Sequence, residues 1–490
     1  MKKHLLLLSL PLLALASNEA INKKIESLEN EIRLLKEQVN NNTHDLDERM
    51  PIIEEVEKKS ILDKLNISPE LMLRADKMDY KSGKIEGEET QILDPNHEFY
   101  LQQRRDEYSK NFDLAGEVRL RLNMNMQVDN TIKFNGRVVY VNSSQSNQRL
   151  CILSRDIKSE SAPGVLAVDR AYIDYTPNKE SDYAFTFSFG ILPTSGGTPM
   201  QYSQDKQRNS MFPALVFNMN SYGFIGTQRL GTDTFVRAIL AKAYTMEPAY
   251  YPYQCNRENI DNANIMGLYA DTKIDYFGKS LLSFGVNMLG DLKAHPYLGP
   301  DVSSNNAEPL GDMLTLGLGL DIEKVANSDA TIFLHTALSV PNANGKTDDY
   351  KIVAIPSVQD LSDGLTQDGS VGFTTADYAS GEMLASNGYS IYFGTKYDIS
   401  TAFNVGAEYN YGSKYWFSAT QGAEDMYNKL ATRGEVFEVY GTWRLNKYLS
   451  TKLGFMQIHE DYTGSGWHFG EPAKKDATQS MSYISVDAKF

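Results

Sequence analysis

The chain has 490 residues and a formal net charge of -15, which speaks against a nucleic-acid partner, because phosphate backbones recruit clustered lysine and arginine. Mean hydropathy is negative and, beyond the first residues, no run of eighteen or more apolar residues occurs. This excludes a bundle of membrane-spanning helices but not a barrel, whose strands are apolar only at every second position. The acidity suits a neutral or cationic solute, although solubility of exposed loops explains it more simply.

The first element is an export signal over residues 1–16: two lysines, an apolar stretch from Leu5 to Ala16 and the small-residue triplet Ala14-Leu15-Ala16. Residues 17–50 follow as a coiled coil. Ile21, Ile25, Leu28, Ile32, Leu35, Val39 and Leu46 alternate steps of four and three, interrupted by Asn42, and Lys24 with Glu29 and Glu31 with Lys36 flank the seam. The seam implies a homo-oligomer. β-branched residues at a with leucine at d favour a dimer, whereas barrels of the porin kind are usually trimers, and the reading adopted is a trimer. Residues 51–65, opening on Pro51, form a linker.

From residue 66 to 490 the pattern changes to period-two stretches long enough to span a bilayer as tilted strands. Sixteen are predicted: 66–80, 112–128, 131–142, 165–176, 183–192, 214–229, 233–244, 264–276, 280–291, 312–324, 329–340, 388–398, 401–412, 433–445, 448–459 and 480–490. Short turns and long loops alternate strictly between them, and both ends fall on the short-turn side. A soluble sandwich has no reason to do this. Tyr175, Tyr183, Phe235, Tyr276, Tyr397, Trp443, Tyr448 and Phe490 sit beside the short turns, as an interface girdle does. The fold class is therefore all-β, a transmembrane antiparallel barrel of about 16 strands preceded by a short coiled-coil helix, in the outer membrane of a Gram-negative bacterium with the short turns in the periplasm. Cys151 and Cys255 would meet an oxidising compartment, and spacing does not decide whether they pair.

Alternation also sorts residues between lipid and lumen. In the second strand Val118, Leu120 and Leu122 face lipid while Arg119, Arg121 and Asn123 face inward. Polar groups are costly to bury without partners, so such an interior is predicted to be wet. Its charges segregate. Arg74, Arg119, Arg121, Lys133, Arg137, Arg170 and Arg237 form a basic arc on the early strands, and Asp271, Asp275, Asp321, Glu323, Asp398, Glu408 and Glu438 form an acidic arc on the later ones. Glu70, Asp76, Lys273 and Lys396 interrupt this segregation. A transverse field across the lumen and wall-bracing salt bridges both explain the pattern.

The third long loop, 193–213, carries two prolines and paired glycines that set a defined path. Gln204, Asp205, Lys206, Gln207 and Arg208 are its candidates to narrow the pore. The longest loop, 341–387, has no assigned role. No nucleophile elbow, zinc-protease motif or phosphate-binding loop is present, the histidines are scattered, and neither catalysis, a cofactor nor a metal is expected.

With the signal and coiled coil, the segments Leu73-Arg74-Ala75-Asp76-Lys77-Met78-Asp79-Tyr80 and Gly190 to Pro199 resemble a domain-of-unknown-function family read as Gram-negative outer-membrane porins, with Ile191 where that resemblance leads one to expect arginine. The predicted function is a porin passing small hydrophilic solutes and ions by diffusion. The alternative is an anchor joining the outer membrane to the cell wall through the coiled coil.

Overall fold

The computed structural model describes residues 22–37, 64–84, 107–143, 165–243, 263–275, 278–292, 311–344, 349–353, 375–379, 384, 386–420, 427–462, 472 and 474–490. The chain divides into two units, Met1–Leu65 and Asn66–Phe490. Of the first, a helix α1 over residues 22–37 is described. It leaves Ile25, Leu28, Ile32, Leu34 and Leu35 exposed. The predicted seam is thus a bare apolar stripe on one helix, and the coiled coil itself requires further chains. Ile21, Val39, Asn42 and Leu46 lie outside the described residues, as do Cys151 and Cys255.

The second unit contains β1 (Leu65–Ser82), β2 (Tyr108–Gln127), β3 (Ile132–Ser143), β4 (Val165–Tyr175), β5 (Phe185–Leu192), β6 (Ser221–Leu230), β7 (Thr234–Ala243), β8 (Asn264–Ile274) and β9 (Lys279–Leu292). It continues with β10 (Gly311–Glu323), β11 (Ala330–Ala343), β12 (Asp349–Val353), β13 (Thr375–Ala379), β14 (Gly388–Asp398), β15 (Phe403–Gly412), β16 (Gly434–Arg444), β17 (Leu449–Tyr462) and β18 (Lys474–Lys489). All but β12 and β13 close into one barrel, each strand beside its neighbour in sequence. Closure joins the two ends of the unit, with β1 antiparallel to β18 and Arg74 opposite Ser485. A closed sheet leaves no unpaired edge, which is what a strand needs in hydrocarbon.

The outward face carries an apolar belt. Leu318 and Leu320 on β10, Ile332 and Leu334 on β11, Phe393 on β14 and Leu453 and Phe455 on β17 are all exposed, while their neighbours Asp321, Phe333, Tyr392 and Met456 are buried. Tyr175, Tyr183, Tyr397, Trp443, Tyr448 and Phe490 are exposed beside the short turns, and Tyr448 stacks on Phe490 at 6.2 Å between ring centroids. Phe235 is half-buried and Tyr276 lies outside the described residues. Among the described residues no helix is long and apolar enough to cross a membrane.

Three predicted details change. The sixth strand begins at Ser221 rather than 214, because Ala214, Leu215, Val216, Phe217 and Met219 are all buried. An apolar run without alternation fits no wall strand with one wet face and instead packs inside the barrel. Several strands also outrun their predicted ends: β18 starts at Lys474, and β17 continues to Tyr462, which pairs with it. Beyond the bilayer both faces meet polar surroundings, so alternation no longer advertises the strand. Finally, the longest loop contains the two-stranded sheet β12–β13.

Candidate functional site

The lumen is not the uniformly wet channel that alternation predicts. The inner face from β6 to β14 presents Ile225, Ile239, Ile265, Tyr269, Leu289, Met313, Phe333 and Tyr392, all nearly inaccessible. They pack with Phe212, Val216 and Phe217 of the third long loop (193–220) and with Trp416 and Phe417 of the 413–432 loop. Phe212 meets Tyr269 edge-on at 4.6 Å. Inner-face glycines make room for this insertion: a Cβ on Gly317 would lie 2.6 Å from Val216 Cγ2, and one on Gly285 3.3 Å from Val216 Cγ1. Gly190, at φ +127°, passes so close to Ala171 O that a side chain would collide as the chain leaves the wall.

Through this packing the third loop descends to the short-turn rim. A short helix, α2 (Met200–Gln204), leads to the tip. There Lys206 Nζ lies 3.0 Å from Asp487 Oδ1 on β18, and Arg208 Nη2 lies 2.9 Å from Asp271 Oδ2 on β8. Asp205 accepts from Arg444 Nε on β16 at 2.5 Å and pairs with Lys396 on β14 at 3.0 Å. The loop enters between β5 and β6, so these ion pairs tie it to strands well around the wall. Burial pushes the Asp205 carboxyl up, but hydrogen bonds from Arg444 and the Lys396 charge outweigh it and hold the group below the usual carboxylate range. Burial, then the Asp321 and Glu323 carboxylates, push the Tyr202 phenol of α2 upward. It therefore stays protonated and donates to Glu323 Oε1 at 3.3 Å.

Of the five constriction candidates, Asp205, Lys206 and Arg208 form these ties, Gln204 lines an open chamber, and Gln207 is exposed. The 413–432 loop enters from the long-loop side and meets the third loop, with Asn218 N donating to Ala419 O at 2.8 Å. Its Lys429 reaches Glu408 and lies 2.6 Å from Glu438 Oε2. Its Tyr427 hydroxyl donates to Asp76 Oδ1 at 2.9 Å.

The predicted arcs take the following places. Arg137 is buried against Asp169, at 2.8 Å from Nε to Oδ1. Arg170 donates to Ser195 O of the third loop at 3.0 Å. Arg237 pairs with Asp271 at 2.6 Å, a tie between the two arcs. Arg121 is buried, while Lys133 at the start of β3 and Asp275, one residue past β8, are exposed. Asp321 holds Thr198 of the third loop and His335 Nε2 at 2.8 Å. Asp398 lies 3.3 Å from both Lys396 and Arg444, and Glu408 accepts from the Tyr392 hydroxyl at 2.8 Å. Most arc members are thus engaged by loop residues or by neighbours within the wall.

A chamber of about 90 Å³ lies between α2 and the wall from β16 to β2. Arg74, Arg119, Glu438, Lys452, Tyr483, Ser485 and Asp487 line it from the wall, and Ser203, Gln204, Lys206 and Lys429 from the two loops. Arg74 and Arg119 of the basic arc and Glu438 of the acidic arc therefore meet here. Lys452 and Asp487 occupy inward positions of the same alternation. Lys429 and Tyr427 had no sequence signal, and Asp169 turns inward only because a bulge lies between Arg137 and Val138 in the β3–β4 pairing.

A closed antiparallel barrel of 16 strands with an apolar outer belt, an aromatic girdle and an inserted loop defines a porin-like, outer-membrane type of fold. The chain belongs to the family Protein of unknown function (DUF3373), whose profile matches residues 109–488. Similar solved structures include OprB of Pseudomonas putida, 10% identical over 88% of this chain and 96% of that one, with a TM-score of 0.45. An anion-selective porin from Comamonas acidovorans is 9% identical over 87% and 100%, at 0.44. OmpT of Vibrio cholerae is 10% identical over 87% and 98%, at 0.38. No curated protein matches the sequence.

Proposed function

We propose that the protein is an outer-membrane porin, exported by its first 16 residues, whose lumen passes small hydrophilic solutes and ions by diffusion past the third long loop. The observation that supports this most is the loop's course: it crosses the lumen, is held at its tip by Asp205, Lys206 and Arg208, and leaves a chamber with charged walls. Charged groups at that density hold water, since dehydrating them without full compensation costs several kcal/mol per ion by order of magnitude. The basic and acidic arcs act as a transverse field where they remain near open space, chiefly at Arg74, Arg119 and Glu438. The exposed stripe on α1 serves to associate chains, and a trimer is the assembly proposed.

Planar-bilayer recording tests this reading. Discrete conductance steps are expected, and replacing Arg119 and Arg121 with alanine should move the reversal potential toward cation selectivity. A folded, inserted protein that carries no current would instead support the anchor reading. The apolar filling by two loops favours that alternative specifically.

A further inference from the structure

We propose that Glu408 and Glu438 form a binding subsite for a small primary ammonium group, and that Lys429 of the 413–432 loop occupies it as an internal ligand when no solute is present. The inference names a solute class for the channel reading and rests on it, because the adjoining chamber is the proposed path.

Glu408 on β15 and Glu438 on β16 are direct cross-strand partners, and both are buried. Like charges set opposite each other destabilise a sheet, and burial adds to the cost unless a cation compensates. On Glu438 Oε1 the wall supplies Lys452 at 3.3 Å and the Tyr483 hydroxyl at 2.5 Å. Glu408 accepts from the Tyr392 hydroxyl at 2.8 Å on Oε2, while its Oε1 is buried without a hydrogen-bond partner. The second cation comes from the loop. Lys429 Nζ bridges the pair, reaching Glu408 Oε2 and lying 2.6 Å from Glu438 Oε2, with the Tyr392 ring 5.8 Å away.

With Lys429 in place the charges around the chamber balance. Arg74 and Arg119 face Asp76 and Glu117, Lys206 faces Asp487, and Lys429 and Lys452 face Glu408 and Glu438. Lys489 and Glu70 add one charge of each sign. A balanced set selects no ion. Moving the Lys429 ammonium off the pair leaves two carboxylates facing Lys452, one negative charge in excess, and an entering cation restores the balance. Lys429 and Glu438 both line the chamber, so a solute there meets the pair once the lysine side chain rotates. The loop backbone stays held, with Asn410 Nδ2 donating to Lys429 O at 2.9 Å. The internal ligand therefore competes at a high effective concentration and lowers the apparent affinity for a solute.

A primary ammonium carries three N–H donors, enough to reproduce both contacts that Lys429 makes. A quaternary ammonium carries none. Among the described residues no group of three or more His, Cys, Asp or Glu gathers as a metal ion would require. The chamber holds about 90 Å³, against about 10–15 Å³ for a single water, which suits a solute of a few heavy atoms.

The test is calorimetric titration of the refolded full chain in detergent with propylammonium chloride, with tetramethylammonium chloride as the donor-free control, beside bilayer recording of the same preparation. Lys429→Ala empties the pair and should bind propylammonium saturably, at least tenfold more tightly than wild type does and at least tenfold more tightly than it binds tetramethylammonium. Adding Glu408→Gln to Lys429→Ala should weaken that binding at least tenfold. If Lys429→Ala fails to fold, wild type decides: saturable binding of propylammonium but not of tetramethylammonium supports the subsite, and a lysine that only braces the loop predicts neither. No saturable binding of propylammonium to folded Lys429→Ala overturns the inference, as does equal binding of the two cations or an affinity unchanged by Glu408→Gln. Binding without conductance removes the channel and keeps the subsite; conductance without binding does the reverse.

Discussion

The two sides of the barrel interior solve the same problem in opposite ways. From β6 to β14 the inner face carries Ile225, Ile239, Tyr269 and Phe333, and two loops fill the space against it. From β16 round to β2 it carries Glu438, Lys452, Asp487, Arg74 and Arg119, and a chamber remains. An apolar inner wall gains by excluding water, about 25 cal/mol for each Å² covered, so it draws in Phe212, Val216 and Phe217. A charged wall loses hydration on being covered unless every group finds a partner. The chamber therefore lies where covering would cost most, and the third loop packs on the apolar side.

The largest way to break this contrast is to remove the apolar filling. Phe217→Ala, at a fully buried site, should destabilise the barrel by about 3–5 kcal/mol, read as a lower denaturant midpoint, and should raise single-channel conductance as the loop loosens. If the midpoint falls with no change in conductance, the filling does not govern the opening.

Next is the tip. Arg444→Ala removes the 2.5 Å hydrogen bond to Asp205 and should cost about 1.5–3 kcal/mol, the range for hydrogen bonds to charged groups. It should also make open-channel current noisier. The same tie has a pH signature. Asp205 has its folded pKa held below the ordinary value of 3.8. Its stabilising contribution is accordingly complete above the unfolded pKa and is lost as pH falls through the depressed folded value. Current traces should stay steady down to about pH 4, near the unfolded carboxylate value, and become unstable below it. Asp205→Asn should show the instability already at neutral pH, and a variant as quiet as wild type at pH 7 would detach the tip from gating.

A subtler change sharpens the comparison from the wall side. Gly317→Ala places a methyl 2.6 Å from Val216 Cγ2, an overpacking that should cost about 1–3 kcal/mol. Protease sensitivity of the third loop should rise while the chamber's ion selectivity stays unchanged. The smallest effect is expected outside the lumen. Tyr448→Leu removes the 6.2 Å stack on Phe490, worth about 0.5–1.5 kcal/mol, and should lower the midpoint slightly without altering current.

The wall was largely legible in advance, and for a definite reason. Strands such as β10, with Leu318 and Leu320 outward and Thr315 and Asp321 inward, meet two different environments on their faces, and a period of two records that directly. Alternation carries no such record where a segment meets one environment all round, as at 214–219, or where a bulge breaks the period, as at Asp169. Candidate pore residues were legible as a direction only. Alternation points Arg137 and Asp321 inward but says nothing of Asp169 waiting for one or of Thr198 and His335 for the other.

By itself, then, the sequence determined that this is an all-β chain of about sixteen amphipathic strands, because facing two solvents leaves a local mark at every second residue. Only the tertiary structure decided that the third loop reaches the short-turn rim, that Lys429 spans Glu408 and Glu438, and that Arg74 lies between Tyr483 and Tyr427. Those contacts join residues remote in the chain, and their energies depend on distance and burial, which no local pattern encodes.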